Sequence, residues 1–171
     1  YLYRYIQLND GGVFEFLSQW GGIVFFLISG ICSSLGSHPI RRGLTVLGCG
    51  LLITAFTYGM YALHFAGKGM IIYFGVLHCL GVCMLLWPIF RKLPWAVTAV
   101  LSVGMIVVGI AIEPVRFDTG IWLIPFGFKP KGFASADYFA LLPFLGFFLM
   151  GSLVGKVAYK KKTTLFPKIT P

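Results

Sequence analysis

Charge is what this chain has least of. Only 11% of its 171 residues are Asp, Glu, Lys or Arg, where a soluble domain carries about 25%. So few charges cannot clothe the water-facing surface of a globular fold, which excludes an ordinary soluble domain. Acidic residues are scarcest, five in all: Asp10, Glu15, Glu113, Asp118 and Asp137. Histidine occurs three times, as His38, His64 and His78. No glycine-rich phosphate loop, HExxH, GxSxG or paired-cysteine metal motif is present, and no metal is expected. The four cysteines, Cys32, Cys49, Cys79 and Cys83, all lie inside apolar stretches. Cys79 and Cys83 are one helical turn apart, which suits neither a zinc spacing nor a structural disulfide. All four are expected to be small apolar packing residues.

What fills the chain instead is hydrophobic: 58% of residues, with mean hydropathy +0.88. The apolar residues fall in five runs, roughly 13–35, 43–65, 70–90, 94–112 and 138–157. A helix needs about 20 mostly apolar residues to cross ~30 Å of hydrocarbon, and each run meets or nearly meets that length. The expected fold is all-α, a polytopic transmembrane helix bundle forming a single domain over residues 1–171. The chain opens on Tyr1 without a charged leader. This fits a fragment lacking an upstream first span, so that five spans are visible of six.

The formal charge of +9 does not indicate nucleic acid, because no basic helix or aromatic–basic strand pattern accompanies it. The basic residues sit in loops and at the tail, where they meet anionic lipid headgroups. Alternating the sides puts nine (Arg41, Arg42, Arg91, Lys92, Lys156, Lys160, Lys161, Lys162 and Lys168) on one surface and five (Arg4, Lys68, Arg116, Lys129 and Lys131) on the other. The nine-residue side is expected to be cytoplasmic, together with the C-terminus, in the plasma (inner) membrane. Trp87, Trp95 and Trp122 read as an aromatic belt at the headgroups. Gly151 and Gly155 form a GxxxG step, and Gly43, Gly48 and Gly50 thin one side of the second helix. These read as packing within one bundle in preference to a homodimer, although a homo-oligomer stays open. Residues 113–137 form the longest connection, whose apolar piece 121–126 is too short to span and is expected to be re-entrant or interfacial.

Polar residues inside or beside the runs are the candidates for chemistry. His78 lies eight residues into the third run, about 12 Å from its start. An ionisable group at that depth usually faces the bundle interior or a wet cavity, where it could act as a general base or a substrate hydrogen-bond donor; the alternative is a histidine that bonds a neighbouring carbonyl and does nothing more. Arg41 and Arg42, at the cytoplasmic mouth of the second helix, suit phosphate groups or serve as a topology signal. Asp137 and Tyr138 precede the fifth run with Ser135 close by. They either cap free N–H groups or offer a carboxylate to an acceptor hydroxyl or amine. Glu113 and His64, at the same surface, could join Asp137 in an outward-facing polar cluster.

Three stretches resemble a known family. Ile28-Ser29-Gly30-Ile31-Cys32-Ser33-Ser34-Leu35, followed by Arg41-Arg42-Gly43-Leu44-Thr45-Val46-Leu47-Gly48, resembles the second and third helices of bacterial members of the heparan-α-glucosaminide N-acetyltransferase catalytic-domain family. Tyr73-Phe74-Gly75-Val76-Leu77-His78-Cys79-Leu80-Gly81 resembles its next helix start. Phe133-Ala134-Ser135-Ala136-Asp137-Tyr138-Phe139, with Leu141-Leu142-Pro143-Phe144-Leu145-Gly146, resembles the start of its last helix. The order matches over about residues 20–157. The resemblance implies a membrane acyltransferase that moves an acetyl group from cytosolic acetyl-CoA to an extracytoplasmic sugar amine or hydroxyl. In that scheme Arg41 and Arg42 hold donor phosphates, His78 lines the acyl passage, and Asp137 with Tyr138 orients the acceptor. The family's acetyl-accepting histidine, between its first two spans, has no counterpart here, since no histidine precedes His38. Two other readings remain: a small-solute transporter or solute-binding subunit without bond-making, and a structural bundle that supports a partner.

Overall fold

The computed structural model describes residues 13–65, 67–112, 116–117, 121–130, 135 and 137–158. Five helices dominate them: α1 (Val13–Leu35), α2 (Pro39–Ala62), α3 (Val76–Phe90), α4 (Trp95–Ile112) and α5 (Leu141–Ala158). Three, α2, α4 and α5, are long and apolar enough to cross a membrane. Their lipid-type surface is plain on α2, where Leu44, Leu51, Leu52 and Phe56 are all exposed. The fold is a helical membrane bundle.

Each helix starts and stops for local reasons. Pro39 begins α2, where a missing N–H is harmless. His38 before it sits in the left-handed region at φ 62°, out of helical geometry as a residue preceding proline tends to be. At the other end of α2, His64 is again left-handed at φ 60°, the conformation that terminates helices.

α5 is central, lying between α1 and α4 and touching α3, while α2 lies against α3. Small residues make these crossings close. On α5, Gly151 faces the Leu27 backbone and Gly155 faces Ile31 and Ser34, while Gly30 of α1 meets the backbone of Phe148 and Ser152. The GxxxG step therefore packs inside one bundle, as expected. Gly43 and Gly50 likewise face α3, but Gly48 has nothing within 4 Å and takes no part in that contact. The core comprises Phe26, Phe74, Cys79, Cys83, Trp87, Leu145, Phe148 and Leu149. Cys79 and Cys83 are buried packing residues; Cys32 and Cys49 are exposed, and all four are free thiols. Trp95 is exposed, as a belt residue should be, whereas Trp87 is only 1% exposed. It stacks edge-on against Phe148 with Lys156 Nζ 5.0 Å from its ring centre, so it belongs to the core and not to the belt.

The third apolar run departs most from the sequence expectation. It does not become helical at residue 70. A short 3₁₀ turn (Lys68–Met70) is followed by non-helical chain through Gly75, and α3 begins only at Val76. With 15 residues, α3 is about 22 Å long, short of the hydrocarbon thickness, and the five residues 71–75 before it are non-helical. The 121–126 piece is a 3₁₀ helix whose Ile124 is buried. Two two-residue strands, β1 (Arg116–Phe117) and β2 (Lys129–Pro130), pair in parallel beside it.

Candidate functional site

Non-helical backbone at membrane depth persists only where protein or a wet cavity satisfies its polar groups. At Ile71–Gly75 several of these partners are identifiable. Ser135 Oγ lies 2.9 Å from Ile71 O and 3.0 Å from Asp137 O, its one proton shared between the two carbonyls. Thr54 Oγ1 donates to Ile72 O at 2.7 Å, and the Ile72 N–H reaches Thr57 Oγ1 at 3.4 Å. The Phe139 N–H donates to Phe74 O at 3.1 Å, part of an isolated parallel bridge between Phe74 and Tyr138. Two extended segments thus lie side by side, clamped by hydroxyls that α2 presents one turn apart.

The first N–H groups of α3 point into this region, as the free donors of any helix start do. Asp137 Oδ2 accepts the Val76 N–H at 2.9 Å. The expectation that Asp137 caps a helix is met, but the helix is α3 and not its own α5, which starts only at Leu141. Gly75 is required here, because any side chain on it would run into the Asp137 carboxylate.

His78 is the third residue of α3, since the helix starts late, and it packs against Gly50, halfway along α2. Its ring is 5% exposed. Nδ1 accepts the Gly75 N–H at 3.4 Å and Nε2 lies 3.3 Å from Thr54 Oγ1. The ring stacks near Phe74, centroids 5.8 Å apart, and its other face meets Gly50. His78 and Asp137 together line a cavity of about 70 Å³ with Gly50, Ile53, Ile72 and Gly75 among the walls. The imidazole therefore faces protein and cavity, not lipid.

The remaining candidates are placed as follows. Tyr138 adjoins the site through its backbone, and its hydroxyl donates to Ile124 O at 2.6 Å. His64 is exposed at the end of α2 and does not line the cavity. Glu113 lies outside the described residues. Arg41 and Arg42 are exposed in the first turn of α2, with the Arg42 guanidinium folded over the turn at Gly36. They are eight or nine residues from Gly50, roughly 12 Å along the helix, and line no part of the cavity. They share their end of the bundle with Arg91, Lys92 and Lys156, whose Nζ donates to Arg91 O at 3.3 Å. His78 and the arginine pair are thus on one pair of helices, the arginines at the basic end and His78 level with the middle of α2. Among the described residues, no cluster of His, Cys, Asp and Glu could hold a metal ion.

Thr54 and Ser135 carry much of this geometry. Ser135 was expected only as a cap, and Thr54 has no distinguishing feature in the sequence beyond lying four residues after Gly50 on one helical face.

No curated protein and no solved structure matches the chain. The family described as heparan-alpha-glucosaminide N-acetyltransferase, catalytic, matches residues 2–170. A helical membrane bundle, a polar break in its third crossing and a match over nearly the whole sequence agree: the chain belongs to this membrane acetyltransferase family.

Proposed function

We propose that the chain transfers an acetyl group from acetyl-CoA, bound at the Arg41 and Arg42 end of the bundle, to the amine or hydroxyl of a sugar or similar acceptor at the Asp137 end. The observation that carries this reading is the burial of His78 beside Asp137 on one cavity, at the polar break opposite the basic end. By the positive-inside rule the arginine end is cytoplasmic, which is where a thioester donor is made. An extended pantetheine arm then has to run from the first turn of α2 to its middle, roughly 12 Å along the helix, to bring the acetyl group to the cavity.

In this scheme the acceptor's lone pair attacks the thioester carbonyl carbon while His78 Nδ1 takes the acceptor proton. The C–S bond breaks, and the imidazolium returns its proton to the departing CoA thiolate. Nδ1 is suited to the task because its present partner, the Gly75 N–H, is at 3.4 Å, the long limit for such a bond. Asp137 keeps one oxygen on Val76 and turns the other to the acceptor, with Tyr138 next to it. Paired guanidiniums match the donor phosphates in geometry and charge.

The test is transfer of labelled acetyl from acetyl-CoA to an amino sugar by the full-length protein in proteoliposomes. His78→Gln should reduce the rate by about 10²–10⁴-fold with unchanged thermal unfolding; wild-type rates in that variant would end the role assigned to His78. The interrupted third crossing also favours a second reading, since discontinuous helices are common where transporters bind their substrates. Uptake of an intact labelled solute without acetylation would establish it.

A further inference from the structure

Thr54 of α2 and the backbone of Gly75 flank the two nitrogens of the His78 ring. Thr54 Oγ1 lies 3.3 Å from Nε2 and gives its own proton to Ile72 O at 2.7 Å. A hydroxyl has one proton to donate. With that proton committed to the Ile72 carbonyl, Thr54 meets Nε2 only as an acceptor, so Nε2 carries the ring hydrogen. At the other nitrogen the Gly75 N–H points at Nδ1, which must then present a lone pair. Both contacts select the same neutral tautomer, as partners of a histidine ring do.

Gly50 packs over the face of the ring. A methyl group there would come within 3.0 Å of Nδ1, 3.1 Å of Cε1 and 3.2 Å of Cγ, near-equal distances that place it above the ring plane. The lone pair of Nδ1 lies in that plane, so Gly50 leaves room for the ring itself and does not set which nitrogen carries the hydrogen.

The geometry points to Thr54 as the residue that makes Nδ1 the working nitrogen of His78. Thr54 is a positioning residue that holds the hydrogen on Nε2 and so leaves the lone pair on Nδ1. This deepens the acetyl-transfer reading and rests on it for what Nδ1 does. The tautomer is a property of the resting protein and is measured without donor or acceptor.

The measurement is the ¹⁵N spectrum of histidine-labelled full-length protein in lipid nanodiscs, with the His78 signals assigned by their loss in His78→Gln. Wild type and Thr54→Ser should carry the hydrogen on Nε2, and Thr54→Val should move population to the Nδ1–H form. A wild-type ring with its hydrogen on Nδ1, or a Thr54→Val spectrum identical to wild type, overturns the role of Thr54. Failure of this measurement is separable from a failure of acetyl transfer in the proteoliposome assay.

Discussion

Asp137 Oδ2 accepts the backbone N–H of Val76 at 2.9 Å, across 61 positions of sequence. A carboxylate on a helix N-terminal N–H is a charge-assisted bond reinforced by the helix dipole. The same carboxylate ties the segment before α5 to the start of α3, so it fixes the floor of the cavity as well as the helix start.

Removing that acceptor should be felt in stability. Asp137→Ala is expected to lower it by about 1–3 kcal/mol, read as thermal unfolding in detergent, and Asp137→Asn, which keeps an oxygen, should lose less. Identical melting of the Ala variant and wild type would show that Val76 finds another partner.

The α1–α5 crossing makes a sharper contrast. Gly151 lies against the Leu27 backbone, whereas Gly104 of α4 has nothing within 4 Å. Gly151→Ala should destabilise by about 1–3 kcal/mol through overpacking. Gly104→Ala should be neutral or gain up to about 1 kcal/mol from helix propensity. Both are read in the same melting experiment, and equal effects would contradict the close approach.

Trp87 combines full burial with an indole N–H that has no hydrogen-bond partner among the described residues. Its value is then the contacts of its ring, with Phe148 and with the Lys156 cation. Trp87→Phe should change stability by less than about 1.5 kcal/mol, as near-isosteric swaps do, while Trp87→Ala should lose about 3–5 kcal/mol. A large loss in the Phe variant would reveal a partner for the N–H.

Arg41 and Arg42 are exposed, so replacing them should leave the fold intact. If they hold the donor phosphates, Arg41→Ala with Arg42→Ala should weaken acetyl-CoA binding by about ten- to a hundredfold, the usual range for losing a charged hydrogen bond. Equilibrium binding to the purified full-length protein measures it, and undiminished affinity would remove the pair from the donor site.

His64 gives the opposite sign. A histidine held at φ 60° carries about 1–2 kcal/mol of left-handed strain. His64→Gly should therefore raise the melting temperature, and a fall would mean that the imidazole makes a contact of its own.

How much of this was legible in the sequence differs by element. The runs that became α2, α4 and α5 were readable because hydrocarbon solvent demands length and apolarity, and both are written residue by residue. The GxxxG crossing was readable for a similar reason: Gly151 and Gly155 lie on one face. The late start of α3 was not. Ile71, Ile72, Tyr73 and Phe74 are as apolar as the helix that follows, and hydropathy does not distinguish extended chain from helix. Trp87 likewise sits beside a basic loop, where a belt residue would sit, and only packing against Phe148 reveals it as core.

By itself the sequence determined the solvent of this protein, because a chain with so few charges is soluble nowhere but in a bilayer. It also determined which residues are rare enough in that solvent to matter, His78 and Asp137 among them. The tertiary structure alone decided their relation. Whether Asp137 caps its own helix or another, and which nitrogen of His78 meets Thr54, depends on hydrogen bonds between segments far apart in sequence. Apolar surroundings leave such groups few other partners, so the fold and not the local chain selects them.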